Sequence, residues 1–388
     1  MSQKGESMKK LLSCTMAFLL AASMAGCGSS SASSDGPIKI GLTVPLSGDR
    51  ASEGHYGQNA AELVQKEIND AGGVLGRNIE IDIQDSLGTD VGATNAYMKL
   101  ASDKDIVAII GSDNSNDNIA IAEAVASAQI PTTTQGSSPT LQDTCEKSDW
   151  MFQLRACDST LCQALIDYAV NTLGLKTFTV IHDTETASAD QARLFTEAIN
   201  KDGGSVTSDI SFTNGTKDFT AQLTQAQQDD ADAIVIACLQ TEAAILAQQM
   251  RDMGIDKPVF GSNAWGDPVT VELAGDAMNN AYSVTAWVPD TPNELGAAFS
   301  KKYSETYNED CVKASAQIRD HVYVICEAIK EAGSTDRTAV RDALLKMTDY
   351  QGAITNYDCS RKGNCGKGGL IVQIQDEKPV VIQEIASE

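Results

Sequence analysis

Histidine is scarce in this chain, and the residue patterns that mark common catalytic sites are missing from it. The 388 residues include three histidines, which form no H-E-x-x-H metalloprotease motif. There is no G-x-S-x-G nucleophile elbow, no G-x-x-x-x-G-K-[ST] phosphate loop, and no cysteine pair with the C-x-x-C spacing of zinc or thioredoxin-like sites. These absences argue against an enzyme and give no reason to expect a metal or another cofactor.

Positive charge is also scarce. There are 29 lysines and arginines against 53 aspartates and glutamates, for a formal net charge of −24 at pH 7. Such an acidic surface favours solubility and argues against nucleic acid as a partner. The apolar run at residues 11–25 is about 15 residues long, which is short of the roughly 20 that a permanent membrane span needs.

The N-terminal segment has the order of a secretory signal. Lys9 and Lys10 precede the apolar run, and small residues lead up to Cys27. The Ala-Gly-Cys ending resembles a bacterial lipobox, in which the cysteine is lipidated and becomes the first residue of the mature protein. An ordinary cleaved signal with an incidental cysteine is the alternative. The lipobox interpretation predicts a signal peptide over residues 1–26 and an extracytoplasmic protein.

A serine-rich tract follows Cys27 and has too little apolar surface to fold, so it predicts a flexible tether over residues 27–37. Loss of residues 1–26 would remove three lysines and one glutamate and take the net charge from −24 to −26. We expect the protein to be held at the cell membrane through lipid on Cys27, on the outer face of a Gram-positive cell. About 360 mature residues are enough for two domains with their own cores.

Eight of the ten cysteines remain once Cys14 in the leader and Cys27 are set apart. An even number in an exported chain predicts disulfides. Cys359 and Cys365 bracket a short loop that a bridge could close, and another cysteine pair flanks Trp150. The sequence leaves the connectivity open.

Apolar strands and amphipathic helices alternate from residue 38 onward. Strand patterns at 38–46, 79–85 and 107–111 are separated by helical periodicities, which predicts a βαβαβ unit with a parallel sheet. The alternation restarts after Arg155, with strands predicted at 177–183, 205–212, 233–238 and from Pro258. Three late helices and a two-stranded hairpin at the C-terminal end follow. Two βα domains in tandem explain this order better than one.

Several segments in sequence order carry a family likeness. GLTVPLSGDRASEG, NAAELVQKEINDAGGVLGRNIEI, VAIIGSDNS, IPTTTQGSSPTL, FQLRACDS, FTNGTKDFTAQL and PVFGSN resemble the branched-chain amino acid-binding proteins, which are type I solute-binding proteins of ABC importers. The resemblance implies an α/β fold of two Rossmann-like lobes with parallel sheets, ligand in the cleft, and a hinge of three crossings. The crossings would fall near Ala156, Val284 and Thr355. The first lobe would comprise residues 38–156 and 285–355, and the second residues 157–284 and 356–388.

The loops that follow the strands of the first lobe are the place to look for the site, because open α/β sheets bind ligands at the carboxyl ends of their strands. Ser115 opens a helix after one strand, and the resemblance makes its hydroxyl and amide a carboxylate contact; helix capping by Ser115 or Asn114 is the alternative. Ser137 matches a second carboxylate hydroxyl, and Gln135 a position whose backbone carbonyl accepts from the ligand ammonium. Without the resemblance, an ordinary loop and a ligand contact would explain this Ser/Thr-rich segment equally well.

Other positions depart from the family pattern. Glu53 replaces an aromatic residue beside the ligand, and is either a cleft carboxylate or a solvated glutamate at a helix start. In the second lobe Ala187 replaces a tyrosine, and Leu239 another contact, with Gln240 and Thr241 nearby. Asn263 replaces the acid that pairs with an α-ammonium, which weakens the case for a free α-amino acid because a charge-assisted bond is roughly twice as strong as a neutral one.

Two further residues complete the candidate site. Trp265 is either an aromatic wall of the cleft or a core residue. Arg319 stands where the family often has tyrosine and either binds a carboxylate or is an ordinary surface arginine. We expect a small polar ligand, an amino acid or a relative but not leucine, because Glu53, Gln135 and Asn263 are polar. Delivery to the membrane subunits of an ABC permease is the expected role, and presentation of ligand to a separate membrane receptor is the alternative.

Overall fold

The computed structural model describes residues 36–48 and 50–385. The predicted signal peptide, Cys27 and most of the predicted tether lie outside the described residues. From Ile38 onward the chain forms one compact unit. Among the described residues, no helix has both the length and the apolar character needed to cross a membrane.

The first lobe is built on a five-stranded sheet in the order β2-β1-β3-β4-β5, with every neighbouring pair parallel. Its strands are β1 (Ile38–Val44), β2 (Ile79–Asp85), β3 (Ile106–Ile110), β4 (Thr132–Thr134) and β5 (Met151–Gln153). Its helices are α1 (Ala51–Asp70), α2 (Asp90–Ser102), α3 (Ser115–Ala120), α4 (Ala122–Ala128) and α5 (Pro139–Lys147). β3 is a continuous apolar run and is wholly buried, whereas β2 alternates and lies at the edge.

The second lobe contains a seven-stranded sheet in the order β15-β14-β10-β9-β8-β6-β7. The strands that build its parallel part are β6 (Thr177–Asp183), β7 (Ser205–Phe212), β8 (Ala233–Ala237), β9 (Val259–Gly261) and β10 (Tyr282–Thr285). The helices are α6 (Asp158–Asp167), α7 (Thr186–Lys201), α8 (Thr220–Gln228), α9 (Gln240–Asp252) and α10 (Pro268–Ala274). Buried apolar clusters lie on both faces of this sheet, as helices on both sides require.

The chain passes between the lobes three times. It enters the second lobe after β5 and leaves it after β10, and it then forms α11 (Glu294–Tyr307), α12 (Lys313–Ala332) and α13 (Arg337–Lys346). A small sheet follows, made of β11 (Tyr350–Gln351), β12 (Asn356–Tyr357) and β13 (Gly366–Lys367). The third passage leads into β14 (Gly369–Gln375) and β15 (Lys378–Ile385).

The second sheet differs from the all-parallel expectation because β14 and β15 form a hairpin that pairs antiparallel with β10. The hairpin itself was predicted from its alternating residues and is confirmed. The small sheet holds residues 350–367 together, so the chain joins the second sheet only at Gly369. The residue bounds of the two lobes stay a prediction.

The helix end at the INDAGG segment depends on a glycine. Gly73 has φ +74° and donates its N–H to Ile68 O at 2.9 Å, which closes the last turn of α1. A Cβ at this position would lie 1.9 Å from Arg77 O. Both the left-handed backbone and the close approach therefore exclude a larger residue.

The predicted disulfides are not present. All eight cysteines of the described residues are free, buried thiols, and they pack as small apolar side chains. Burial raises the pKa of Cys145 to about 12. Burial, and then the neighbouring Cys359 thiol, raise the pKa of Cys365. The Cys365 Sγ lies 3.5 Å from Lys362 O, so the loop that a bridge was expected to close is held by hydrogen bonds.

Candidate functional site

Two of the predicted ligand residues meet where β3 and β4 end. The Ser115 hydroxyl accepts hydrogen bonds from the backbone N–H groups of Ser137 and Ser138, each at 3.2 Å. Capping of α3 falls instead to Asn114, whose side chain accepts from Asn116 N at 2.8 Å and Asp117 N at 3.3 Å. Ser115 therefore keeps its own hydroxyl hydrogen for a further acceptor.

Gly136 is what allows this contact. A Cβ on Gly136 would lie 2.5 Å from Ser115 Oγ and 2.7 Å from Leu141 Cδ2. The loop after β4 consequently lies directly against the start of α3. Ser137 is buried, and its carbonyl accepts from Asp158 N at 2.8 Å, which ties the loop to the first helix of the second lobe.

Gln135 is buried between the same strands. Its side-chain Nε2 donates to Gly111 O at 2.8 Å and its backbone N donates to Ser112 O at 3.4 Å. Both bonds join the loops after β3 and β4, and the first of them uses the Gln135 side chain. The proposed contact of Gln135 with a ligand ammonium concerns the backbone carbonyl and stays a prediction.

Glu53 lies in a charged network at the start of α1. Arg50 pairs with Asp113, with Glu53 at 3.3 Å and with Asp117 at 3.5 Å. Burial, and next the Asp113 carboxylate, raise the pKa of Glu53 to about 7. The pKa of Asp113 is lowered; burial opposes this change, and the Arg50 guanidinium is the largest cause that favours it. The two carboxyl groups thus share one arginine, and Glu53 is the one that keeps a proton near neutral pH.

Arg155 and Lys313 are two further cations, not predicted from the sequence, and the charges of Glu53 and Asp113 act on Lys313. Arg155 follows β5 and is 7% exposed, and its Nε and Nη2 atoms are buried without a hydrogen-bond partner. Lys313 is the first residue of α12 and is partly buried. Burial, and then the charge of Arg155, lower the pKa of the Lys313 ammonium. The signal in the sequence for Arg155 is a charged residue between the apolar residues Leu154 and Ala156.

The candidates of the second lobe lie at the starts of its helical segments. Ala187 is exposed in the first turn of α7, and Leu239 is 44% exposed directly before α9. Asn263 is partly buried and begins a short 3-10 helix after β9. They follow β6, β8 and β9, so they share the carboxyl edge of that sheet.

Trp265 and Arg319 are not part of an open cleft surface. Trp265 is 1% exposed and packs in the core of the second lobe, where a Cβ on Gly261 would lie 2.0 Å from its ring. Arg319 pairs with Asp320 at 2.6 Å, and its guanidinium lies 4.4 Å from the centre of the Tyr323 ring. These contacts favour the alternative of a core tryptophan at position 265, and a ligand contact by either residue stays a prediction.

The fold and this site define a class: a two-lobed α/β binding protein with helix starts and hydroxyl groups at the carboxyl ends of its strands. Residues 37–377 match the periplasmic binding protein family, and the chain belongs to that family. Its members are solute-binding proteins and not enzymes.

Known proteins of this kind are similar to the chain over about nine tenths of its length. The chain is similar to Leu/Ile/Val-binding protein homolog 3 of Brucella melitensis, with 25% identity over 89% of this chain and 93% of the relative. It is also similar to the substrate-binding protein LivJ of Streptococcus pneumoniae, solved with isoleucine, with 26% identity, a TM-score of 0.79, and coverage of 90% and 99%. Leucine-binding LivK of Thermotoga maritima has the same fold, with 23% identity, a TM-score of 0.79, and coverage of 90% and 99%.

Proposed function

We propose that this protein is an extracytoplasmic solute-binding lipoprotein that captures a small polar ligand, an amino acid or a relative, between its lobes and delivers it to an ABC permease. The main support for the proposal is the hydrogen bond from Ser137 N to Ser115 Oγ, where the loops after β3 and β4 lie against each other. A hydroxyl hydrogen beside backbone N–H groups at a helix start suits a carboxylate. Relatives named for leucine, isoleucine and valine support the amino-acid class.

The hydrogen bond from Asp158 N to Ser137 O supports a ligand site between the lobes, because it ties the loop that carries Ser137 to the start of α6. A ligand that bridges the lobes stabilises the closed arrangement by its differential affinity for that state. In this proposal the permease recognises the closed lobes, and lipid on Cys27 keeps the protein at the membrane surface.

The experiment is a thermal-shift screen of the protein from residue 28 onward, unfolded and refolded to remove bound ligand, against amino acids, amides, amines and small carboxylates. A ligand at 100 times its Kd adds about 2.7 kcal/mol. An unfolding entropy of about 2.1 cal/mol/K per residue then gives a rise of roughly 4 °C in Tm. We expect a hit that Ser115→Ala with Ser137→Ala abolishes, while the variant still folds because each lost bond costs only about 1 kcal/mol.

Ser127→Ala with Ser205→Ala provides the matched control, because both serines are exposed and lie outside this site. It should bind as the unmodified protein does. Unchanged affinity in the Ser115 and Ser137 variant would place the ligand elsewhere. No hit in the whole screen would contradict the proposed function.

A further inference from the structure

Arg155 is a buried cation that forms no ion pair within 4.0 Å in the part of the chain that the structure describes. It is 7% exposed at the first passage between the lobes, and neither its Nε nor its Nη2 has a hydrogen-bond partner among the described residues. Arginine side chains are effectively always charged in proteins. A buried charge in this state is strongly destabilising unless a partner arrives.

Lys313 is a second cation within the electrostatic field of the first. Among the residues that the structure describes, it takes part in no ion pair within 4.0 Å. The acids whose field it feels are Asp267, Glu53 and Asp113. Glu53 and Asp113 are already paired with Arg50. Among the described residues, neither cation has a carboxylate within ion-pair distance, so both are available to an anionic ligand.

This place adjoins the serine site. β4 and β5 are parallel neighbours, with Thr134 opposite Gln153, so the loops that carry Ser137 and Arg155 leave the sheet side by side. Asp158, which could have served Arg155 as a local partner, instead accepts from Gln191 Nε2 at 3.2 Å. Ser137 and Arg155 therefore lie on adjacent loops at the same edge of the first sheet.

We propose that Arg155 and Lys313 form a second carboxylate subsite, so that the ligand is an acidic amino acid or a small dicarboxylate and not a branched aliphatic one. This inference rests on the proposed function and names its substrate class. The guanidinium fork matches a carboxylate in bidentate geometry, and the lysine adds a point charge. A neutral ligand group would leave both cations buried and uncompensated.

The test compares acids with their amides by calorimetry on the refolded protein: L-glutamate against L-glutamine, L-aspartate against L-asparagine, with succinate, L-leucine, L-isoleucine and inorganic phosphate alongside. We expect one acid to bind about 100-fold more tightly than its amide, because the amide leaves buried charges unpaired. Equal or tighter binding of a neutral amino acid would overturn the inference and leave the proposed function standing. Binding of phosphate alone would overturn the carboxylate assignment, and no binding at all would refute both.

Two variants separate ligand binding from a structural role. Arg155→Gln and Lys313→Met should each lose the preference for the acid by at least about 10-fold, while the ligand-free Tm stays the same or rises, because an unpaired buried charge is removed. Arg193→Gln and Lys301→Met, at exposed positions, are the matched controls and should keep the preference. A fall in ligand-free Tm with unchanged ligand preference would assign the two cations a structural role. If Arg155→Gln does not fold, Lys313→Met and the acid–amide comparison still decide.

Discussion

The segment that leads to the third passage between the lobes is held by one buried aspartate, and its replacement should be measurably costly. Asp320 on α12 is fully buried and pairs with Arg319. The same carboxylate accepts from Ala353 N at 2.7 Å, from Ile354 N at 2.9 Å and from the Tyr357 hydroxyl at 2.8 Å. Asp320→Asn keeps the shape of the side chain but turns one of its oxygens into a donor that faces other donors.

The size of the effect follows from these contacts. Breaking a buried ion pair by changing one partner costs 3–5 kcal/mol in other proteins. Because asparagine retains one accepting oxygen, we expect the lower end, about 3 kcal/mol. With an unfolding entropy of about 2.1 cal/mol/K per residue over roughly 350 residues, the expected fall in Tm is about 4 °C.

The assay is thermal unfolding followed by circular dichroism, and the chain contains its own control. Arg341 and Asp342 on α13 form the same Arg-Asp pair, but the Asp342 side chain is 47% exposed. Asp342→Asn should therefore cost less than about 1 kcal/mol. Equal effects of the two substitutions would refute the argument from burial, and so would an Asp320→Asn protein with unchanged Tm.

Two predictions concern the charged network and the anchor. The pKa of Glu53 is raised to about 7, by burial first and then by Asp113. Since the folded protein holds this proton more tightly than the unfolded chain, stability should fall as pH rises from about 4.5 to 7. Glu53→Gln should flatten that fall in Tm between pH 5 and 8, with exposed Glu305→Gln as control; the same slope in both variants would contradict the assignment. Cys27→Ser should move the protein from the membrane fraction to the medium or periplasm, and continued membrane association would argue against the lipobox interpretation.

Much of the fold could be predicted because hydrophobic periodicity was clear. β2, β6 and β7 lie where the sequence placed them, with the same bounds, since each is a 7- or 8-residue segment of strand-forming residues that ends in turn-forming residues. β10 and the two-residue strands β11, β12 and β13 were not predicted as strands. They are too short to show a period, and they are defined by partners distant in sequence.

The site was harder to predict because it depends on contacts and not on residue type. The even number of cysteines predicts disulfide bridges, whereas the eight cysteines of the described residues are free thiols buried in the core. Arg319 was weighed as a ligand residue because it occupies a family position, but its adjacent Asp320 neutralises it. Arg155 is not predicted from the sequence, because its burial depends on tertiary packing that residue type does not reveal.

The departures from the family pattern make the proposed ligand site more positive. The resemblance assigns position 263 to an acid that pairs with a ligand ammonium, and this chain has a neutral asparagine there. In the first lobe, Arg50 pairs with the acids Glu53, Asp113 and Asp117, and Glu53 keeps a proton near neutral pH. Among the described residues, the cations Arg155 and Lys313 form no ion pair within 4.0 Å. If Arg155 and Lys313 contact the ligand as proposed, these two cations and the loss of the acid at position 263 both favour a more negative solute, and the acid–amide comparison tests both changes at once.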